Sequence, residues 1–156
     1  MRFSHETTLD SYSESFNLAD WLFTLSEEEY HACQAGHRAI GVVGKREGMV
    51  NVESIGGSLI IQHYRTVVAE RDRVLMKSPH SRAYLLHLIP APVGVAWEME
   101  IIQKGQTRTF RCTIDIQLPL LLRLLSSMIA TPFFIRRHLV QETDGFAQDM
   151  STKMSK

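Results

Sequence analysis

The sequence predicts an α+β domain in which a curved antiparallel sheet of about six to seven strands wraps around a long C-terminal helix. Three observations predict it. The hydrophobic period is two between Arg38 and Leu118 and helical on either side. The clearest alternation puts Val93, Val95, Trp97, Met99 and Ile101 on one face and Gly94, Ala96, Glu98 and Glu100 on the other, the pattern of a sheet covered on one side. After Leu118, a stripe of Leu121, Leu124 or Leu125, Met128, Ile135, Leu139, Phe146 and Met150 is the sizeable apolar element left to cover that sheet.

In chain order, Phe3, His5, Thr7 and Leu9 share one parity and predict a first strand. A polar connection through Tyr12–Phe16 leads to Asn17, which can cap a short helix carrying Leu18, Trp21, Leu22 and Leu25. Ser26 and Glu29 have the spacing of a capping box, and Glu27–Glu29 suit the positive end of a helix dipole. A second short helix therefore starts at Ser26 and stops near Gly36. In the strand region, Gly44–Gly48 reads as a turn, and Ile55–Ser58 as a turn or a bulged kink. Leu59–Val68 is a strand, Glu70–Asp72 a turn, Val74–Met76 a strand, Ser78–Ser81 a turn and Ala83–Ile89 a strand that Pro90–Pro92 should end. The alternation from Val93 turns at Lys104–Gln106 and returns through Phe110, Cys112, Ile114 and Ile116. Pro119 suits a first helical turn, whereas Pro132 must kink the last helix or split it in two.

The chain of 156 residues is expected to be a single domain with a polar tail at 151–156, and it is long enough to bury a core without metal or disulfides. Lys plus Arg and Asp plus Glu are equal at 17 each, which argues against general attraction to nucleic acid. Two cysteines, Cys33 and Cys112, make no disulfide framework and suggest a reducing compartment. The first residues lack the apolar run of a signal peptide. Leu118–Ile135 is apolar, but Arg123, Ser126, Ser127, Thr131 and Pro132 favour a buried helix over a membrane span. A cytoplasmic protein with no transmembrane segment is expected.

The order strand, two short helices, a run of antiparallel strands and a long last helix resembles the START-like helix-grip superfamily, SRPBCC. Val52–Gly57 before a strand, Trp97–Met99 in a late strand and Phe133–Asp149 in the last helix carry the resemblance. It implies a cavity between sheet and helix that holds a lipophilic ligand, without implying catalysis. By parity, Trp97, Met99, Phe110, Cys112 and Ile114 should face that cavity, with Met128, Ile135 and Leu139 pointing back from the helix. The same residues would serve equally as plain core, because pockets and cores share a composition.

Few residues suggest chemistry. His31, Cys33 and His37 are zinc-binding types, yet His31 and Cys33 fall on different helix faces and no fourth ligand is near in sequence, so no metal and no cofactor is expected. Of His63 and Tyr64, adjacent on a strand, one can enter a cavity; His87 poses the same question. Glu98 and Glu100 should face solvent. His138 and Glu142, four apart, suggest a local pair on the helix's outer side. Arg123, Arg136 and Arg137 read as a solvated face or a contact for an anionic head group. The apolar break at Ile129–Phe134 reads as a ligand portal or a subunit contact.

Three functions fit. One is a carrier or sensor for a hydrophobic small molecule or lipid. The second is a polyketide cyclase or isomerase on the same fold, which would need His63, His87 or Tyr64 inside the cavity. The third is a non-catalytic interaction protein with a filled core, homodimeric through the helix break.

Overall fold

Six consecutive strands pair as neighbours through short reversals. The computed structural model describes residues 1–120, 122 and 130–155. Strands β2 (His37–Val43), β3 (Gly48–Ile55), β4 (Ser58–Ala69), β5 (Arg73–Leu85), β6 (Ile89–Lys104) and β7 (Thr107–Gln117) form an antiparallel meander. Between β3 and β4 the loop is Gly56–Gly57 alone, and both glycines have positive φ, 56° and 77°. That geometry matches the right-handed twist of the flanking strands and disfavours residues with a Cβ. β1 (Arg2–Thr8) returns beside β7, with Phe3 opposite Ile114 and Glu6 opposite Arg111. The sheet order is β1-β7-β6-β5-β4-β3-β2.

Both expected caps form. Asn17 accepts the Asp20 N–H at the start of α1 (Leu18–Thr24). Ser26 and Glu29 close a reciprocal capping box on α2 (Glu27–Cys33). Ala130 is left-handed (φ 55°, ψ 22°), and α3 (Thr131–Met154) begins directly after it. Pro132 thus sits in a first turn, where a missing N–H leaves no helical bond unmade. It opens a helix rather than kinking one. Ile135, Leu139, Phe146 and Met150 are buried as the stripe requires. Phe146 packs edge-on against Trp21 at 5.3 Å and beside Trp97 at 6.1 Å, joining α1, the sheet and α3 in one core.

Three expected boundaries move. Ser78–Ser81 is a bulge inside β5 rather than a turn. The Ser78 hydroxyl accepts the His63 N–H at 3.0 Å and meets Ser81 Oγ at 2.7 Å, supplying bonds the disrupted ladder lacks. Ala83–Ile89 is not one strand: Leu86–Leu88 form the β5–β6 turn, with Leu86 and His87 at positive φ. Pro90–Pro92 does not end a strand but lies within β6. Both prolines pair with β5, opposite Tyr84 and Arg82, while β7 joins β6 only from Gly94 onward. With one neighbour on this stretch, β6 tolerates residues that cannot donate.

Candidate functional site

Between the open end of the sheet and the first turns of α3 lies a cavity of about 80 Å³. Its walls are aliphatic: Ile60 from β4, Val93 and Val95 from β6, Ile114 and Ile116 from β7, and Ile135 from α3. Strand alternation places them there, since residues two apart share a face. At the outer end, Phe134 lies against Gly56, so close that a Cβ on Gly56 would fall 2.8 Å from the Phe134 side chain. At the buried end are Glu53, Gln62 and His138.

That buried end continues into a polar cluster. His37 opens β2, Glu53 lies on the inward parity of β3 with Met49 and Asn51, and His138 and Glu142 stand one turn apart on α3. His37 Nε2 is 3.4 Å from Glu142 Oε1, and His138 Nε2 is 3.6 Å from Glu53 Oε2. Tyr30 of α2 donates its hydroxyl to Glu53 Oε1 at 2.7 Å, and Gln62 Nε2 donates to Glu53 Oε2 at 3.4 Å. His37 Nδ1 lies 2.7 Å from the Tyr30 carbonyl oxygen, and its ring stacks on the Tyr30 ring at 3.7 Å.

Burial alone would push Glu53 up, yet the facing His138, then His37 and the Tyr30 hydroxyl, outweigh it and hold its carboxyl well below the ordinary range. Burial likewise pulls His138 down, but Glu53 and then Glu142 raise it above the usual histidine value. Tyr30 is pushed far above an ordinary phenol by burial and by the negative field of Glu53 and Glu142, which keeps its proton available to donate. The cluster holds groups able to carry charge, move protons or ligate a cation in a site closed to bulk water.

The residues expected at a site divide sharply. Ile114 and Ile135 wall the cavity. Trp97, Met99, Phe110, Cys112, Tyr64 and Leu139 are buried but lie off its wall, in the adjoining core. There Trp97 Nε1 donates to Cys112 Sγ at 3.0 Å, and Tyr64 packs 5.7 Å from Trp97. Met128, like Arg123, lies outside the described residues. His63 is exposed: Gln62 and Tyr64 take the inward face, so strand parity turns His63 outward. His87 is exposed in its turn. Glu98 and Glu100 lie on the outer face, paired with Arg73 at 2.6 Å and Arg111 at 3.1 Å. Arg136 and Arg137 are exposed.

The expected outer pair His138 and Glu142 is the largest departure, because both are buried, at 4% and 1% exposure. Neither faces its helical neighbour as its ion partner; each meets a residue from the sheet. His31 and Cys33 stay outside the cluster. His31 Nε2 meets the Arg38 carbonyl oxygen at 2.8 Å, and Cys33 packs against α3, where its carbonyl touches Gly145. The signal for the cluster was present in the spacing. Positions 135, 139, 142, 146 and 150 form one helical stripe, which Glu142 completes and His138 flanks.

No family model and no curated protein matches the sequence. Solved structures do match its fold. TTHA0849 from Thermus thermophilus superposes with a TM-score of 0.64 at 12% identity, over 100% of both chains. A START superfamily protein from Mycobacterium smegmatis gives 0.59 at 7% identity, over 99% of this chain and 97% of the other. This is the START-like helix-grip fold. Ginseng major latex-like protein 151 from Panax ginseng shares it, with a TM-score of 0.54 at 13% identity, over 89% of this chain and 97% of that one. The cavity described here lies between the sheet and the last helix of that fold. Among the described residues, no helix is long and apolar enough to cross a membrane.

Proposed function

We propose that the protein binds a hydrophobic small molecule or lipid in the cavity between the sheet and α3, as a carrier or sensor. The observation that carries this reading is the cavity's construction. Its wall is aliphatic on the sheet and helix sides, Phe134 lines it while packing on Gly56, and its far end is polar. Apolar walls with a few placed polar groups are what small-molecule sites need. The volume sets the terms of entry. At about 80 Å³ it is well below the roughly 300–1,000 Å³ of a drug-sized pocket. A few-carbon ligand fits as the chain stands, whereas a lipid must spread the walls. The free thiols Cys33 and Cys112 fit a cytoplasmic setting.

A second reading, an isomerase or cyclase, rests on Glu53 and His138, the titratable groups among the described residues of the wall. The groups first expected to serve it, His63, His87 and Tyr64, do not line the cavity.

Native mass spectrometry of the purified protein, alone and with a panel of fatty acids and polycyclic aromatic ketones, tests both. The proposal expects a 1:1 adduct that is lost in Val95→Trp, which fills the cavity. A chain that stays bare across the panel, or an adduct unchanged in a folded Val95→Trp, would refute it. Conversion of an added ketone, abolished by Glu53→Gln, would move the assignment to the enzyme.

A further inference from the structure

We propose that His37, Glu53, His138 and Glu142 bind one divalent transition-metal cation of the zinc kind at the buried end of the cavity. The four side chains come from β2, β3 and α3, and one ligating atom from each falls within 4.8 Å of all the others.

The two facing pairs also converge as a ligand set. A protonated imidazole beside a carboxylate in a dry interior directs its N–H along the contact, because an unmade bond there costs about 1–3 kcal/mol. Here His37 Nε2, His138 Nε2 and Glu142 Oε2 are buried and none makes a hydrogen bond. They converge without bonding one another.

The surroundings fix how they present themselves. The Tyr30 carbonyl can only accept, so the His37 Nδ1 facing it at 2.7 Å carries the proton. In the neutral ring Nε2 then turns its lone pair into the cluster. A ligating histidine that donates its other N–H to a backbone carbonyl is a recurrent device for fixing the metal-binding tautomer. Stacking on Tyr30 holds the ring plane. Glu53 is oriented in the same way: the Tyr30 hydroxyl takes Oε1, and Oε2, which also accepts from Gln62 Nε2 at 3.4 Å, faces His138.

Size and charge agree. Zinc bonds of about 2.0–2.2 Å to nitrogen and oxygen give a tetrahedral edge of roughly 3.4 Å. The two facing pairs are 3.4 Å and 3.6 Å apart, so two edges are nearly formed, and the longer separations close by shifts within side-chain reach. Once His138 releases to solvent the proton that Glu53 favours, two carboxylates with two neutral imidazoles carry a charge of −2, which a dication cancels in a site that tolerates no unpaired charge. Four protein donors make a closed set of the structural type. Because Glu53 and His138 also wall the cavity, the ion would place a positive centre at the end of the ligand space.

The test uses the full chain with Zn²⁺ and Co²⁺. Wild-type protein should take up one equivalent of Zn²⁺ in competition with a chromophoric chelator. With Co²⁺ it should show visible d–d bands of tetrahedral intensity and a paramagnetically shifted, exchangeable His37 Nδ1–H resonance. His37→Gln and Glu142→Gln should weaken uptake by about 100-fold or more, while His31→Ala and Cys33→Ser leave it unchanged. No stoichiometric uptake by the wild-type chain would overturn the proposal. So would uptake that survives His37→Gln and Glu142→Gln, or that is lost in Cys33→Ser. The cobalt spectrum and the shifted resonance are read on the wild-type chain, so they decide the matter even if a cluster variant fails to fold. Ligand binding in the cavity is scored separately by mass, and its failure leaves the metal result standing.

Discussion

Replacing Gly145 with alanine sets two effects against each other, and the structure says which wins. In a helix interior alanine is favoured over glycine by about 1 kcal/mol. On α3, however, a Cβ at position 145 would lie 2.0 Å from the Cys33 carbonyl oxygen, 2.7 Å from its carbonyl carbon and 2.9 Å from its Cα. All three are backbone atoms of the last residue of α2, so no side-chain rotation relieves the contact. Reaching an ordinary separation requires α2 and α3 to part by more than an ångström, and that loosens Tyr30, which is fully buried between them. Overpacking of this kind costs about 1–3 kcal/mol, and the rigid partner puts it at the upper end. The net expectation is a loss of about 2 kcal/mol, and at this chain length that lowers Tm by about 4–8 °C. Urea denaturation followed by tryptophan fluorescence, together with calorimetry, measures it. A Gly145→Ala protein as stable as the parent, or more so, would show that the helix preference prevails and that the α2–α3 approach is not as close as described.

Other perturbations test other links. Ser26→Ala removes the capping-box acceptor for the Glu29 N–H and should cost about 1 kcal/mol, visible as a Tm lower by about 2–4 °C. Burial, the largest cause, pushes the Cys33 thiol up to about 12. Since only the thiolate reacts, iodoacetamide labelling of the folded chain at pH 8 should run about a thousand-fold or more below a free cysteine and rise about tenfold per pH unit. Labelling at the free-thiol rate would mean that Cys33 is not packed as described. His63→Ala, at an exposed strand position, should change stability by less than about 0.5 kcal/mol, whereas Trp97→Ala in the core should cost about 3–5 kcal/mol. Chemical denaturation of the pair measures both, and comparable losses would reverse the inside–outside assignment of the sheet.

What the sequence makes legible is what local chemistry decides. Asn17 and the Ser26–Glu29 pair mark helix starts because capping depends on residues three apart. The alternations of β6 and β7 show their faces because each strand is apolar on one side only. Pro132 was ambiguous, since proline serves equally to kink a helix or to open one, and the left-handed Ala130 before it is not a property of the local composition. The polar cluster is only partly legible, through the helical stripe that Glu142 completes, and for a different reason. On β3, Asn51 and Glu53 face inward while Val50 and Val52 lie half-exposed on the other side, the reverse of what hydrophobicity predicts. His138 and Glu142 look like a solvent pair until partners from β2 and β3 are brought to them across the fold. Such local inversions are expected where a site overrides folding preference. The cavity was illegible because a filled core and an open pocket can share every residue.

The pairing of β1 with β7 has a consequence for how the chain is made. Every other neighbour in the sheet is also the next strand in sequence, but Arg2 must find Asp115. At a synthesis rate of about 5–20 residues per second, the first strand leaves the ribosome roughly 5–20 s before its partner. Through that interval the hairpins from β2 onward can close on their own, because their contacts are local, while β1 waits without a ladder. When β7 emerges it too presents an open edge until β1 arrives, and α3, which packs against both, can settle only afterwards. The chain thus passes through a stage in which two unpaired strand edges are exposed together, and protection from aggregation matters most there.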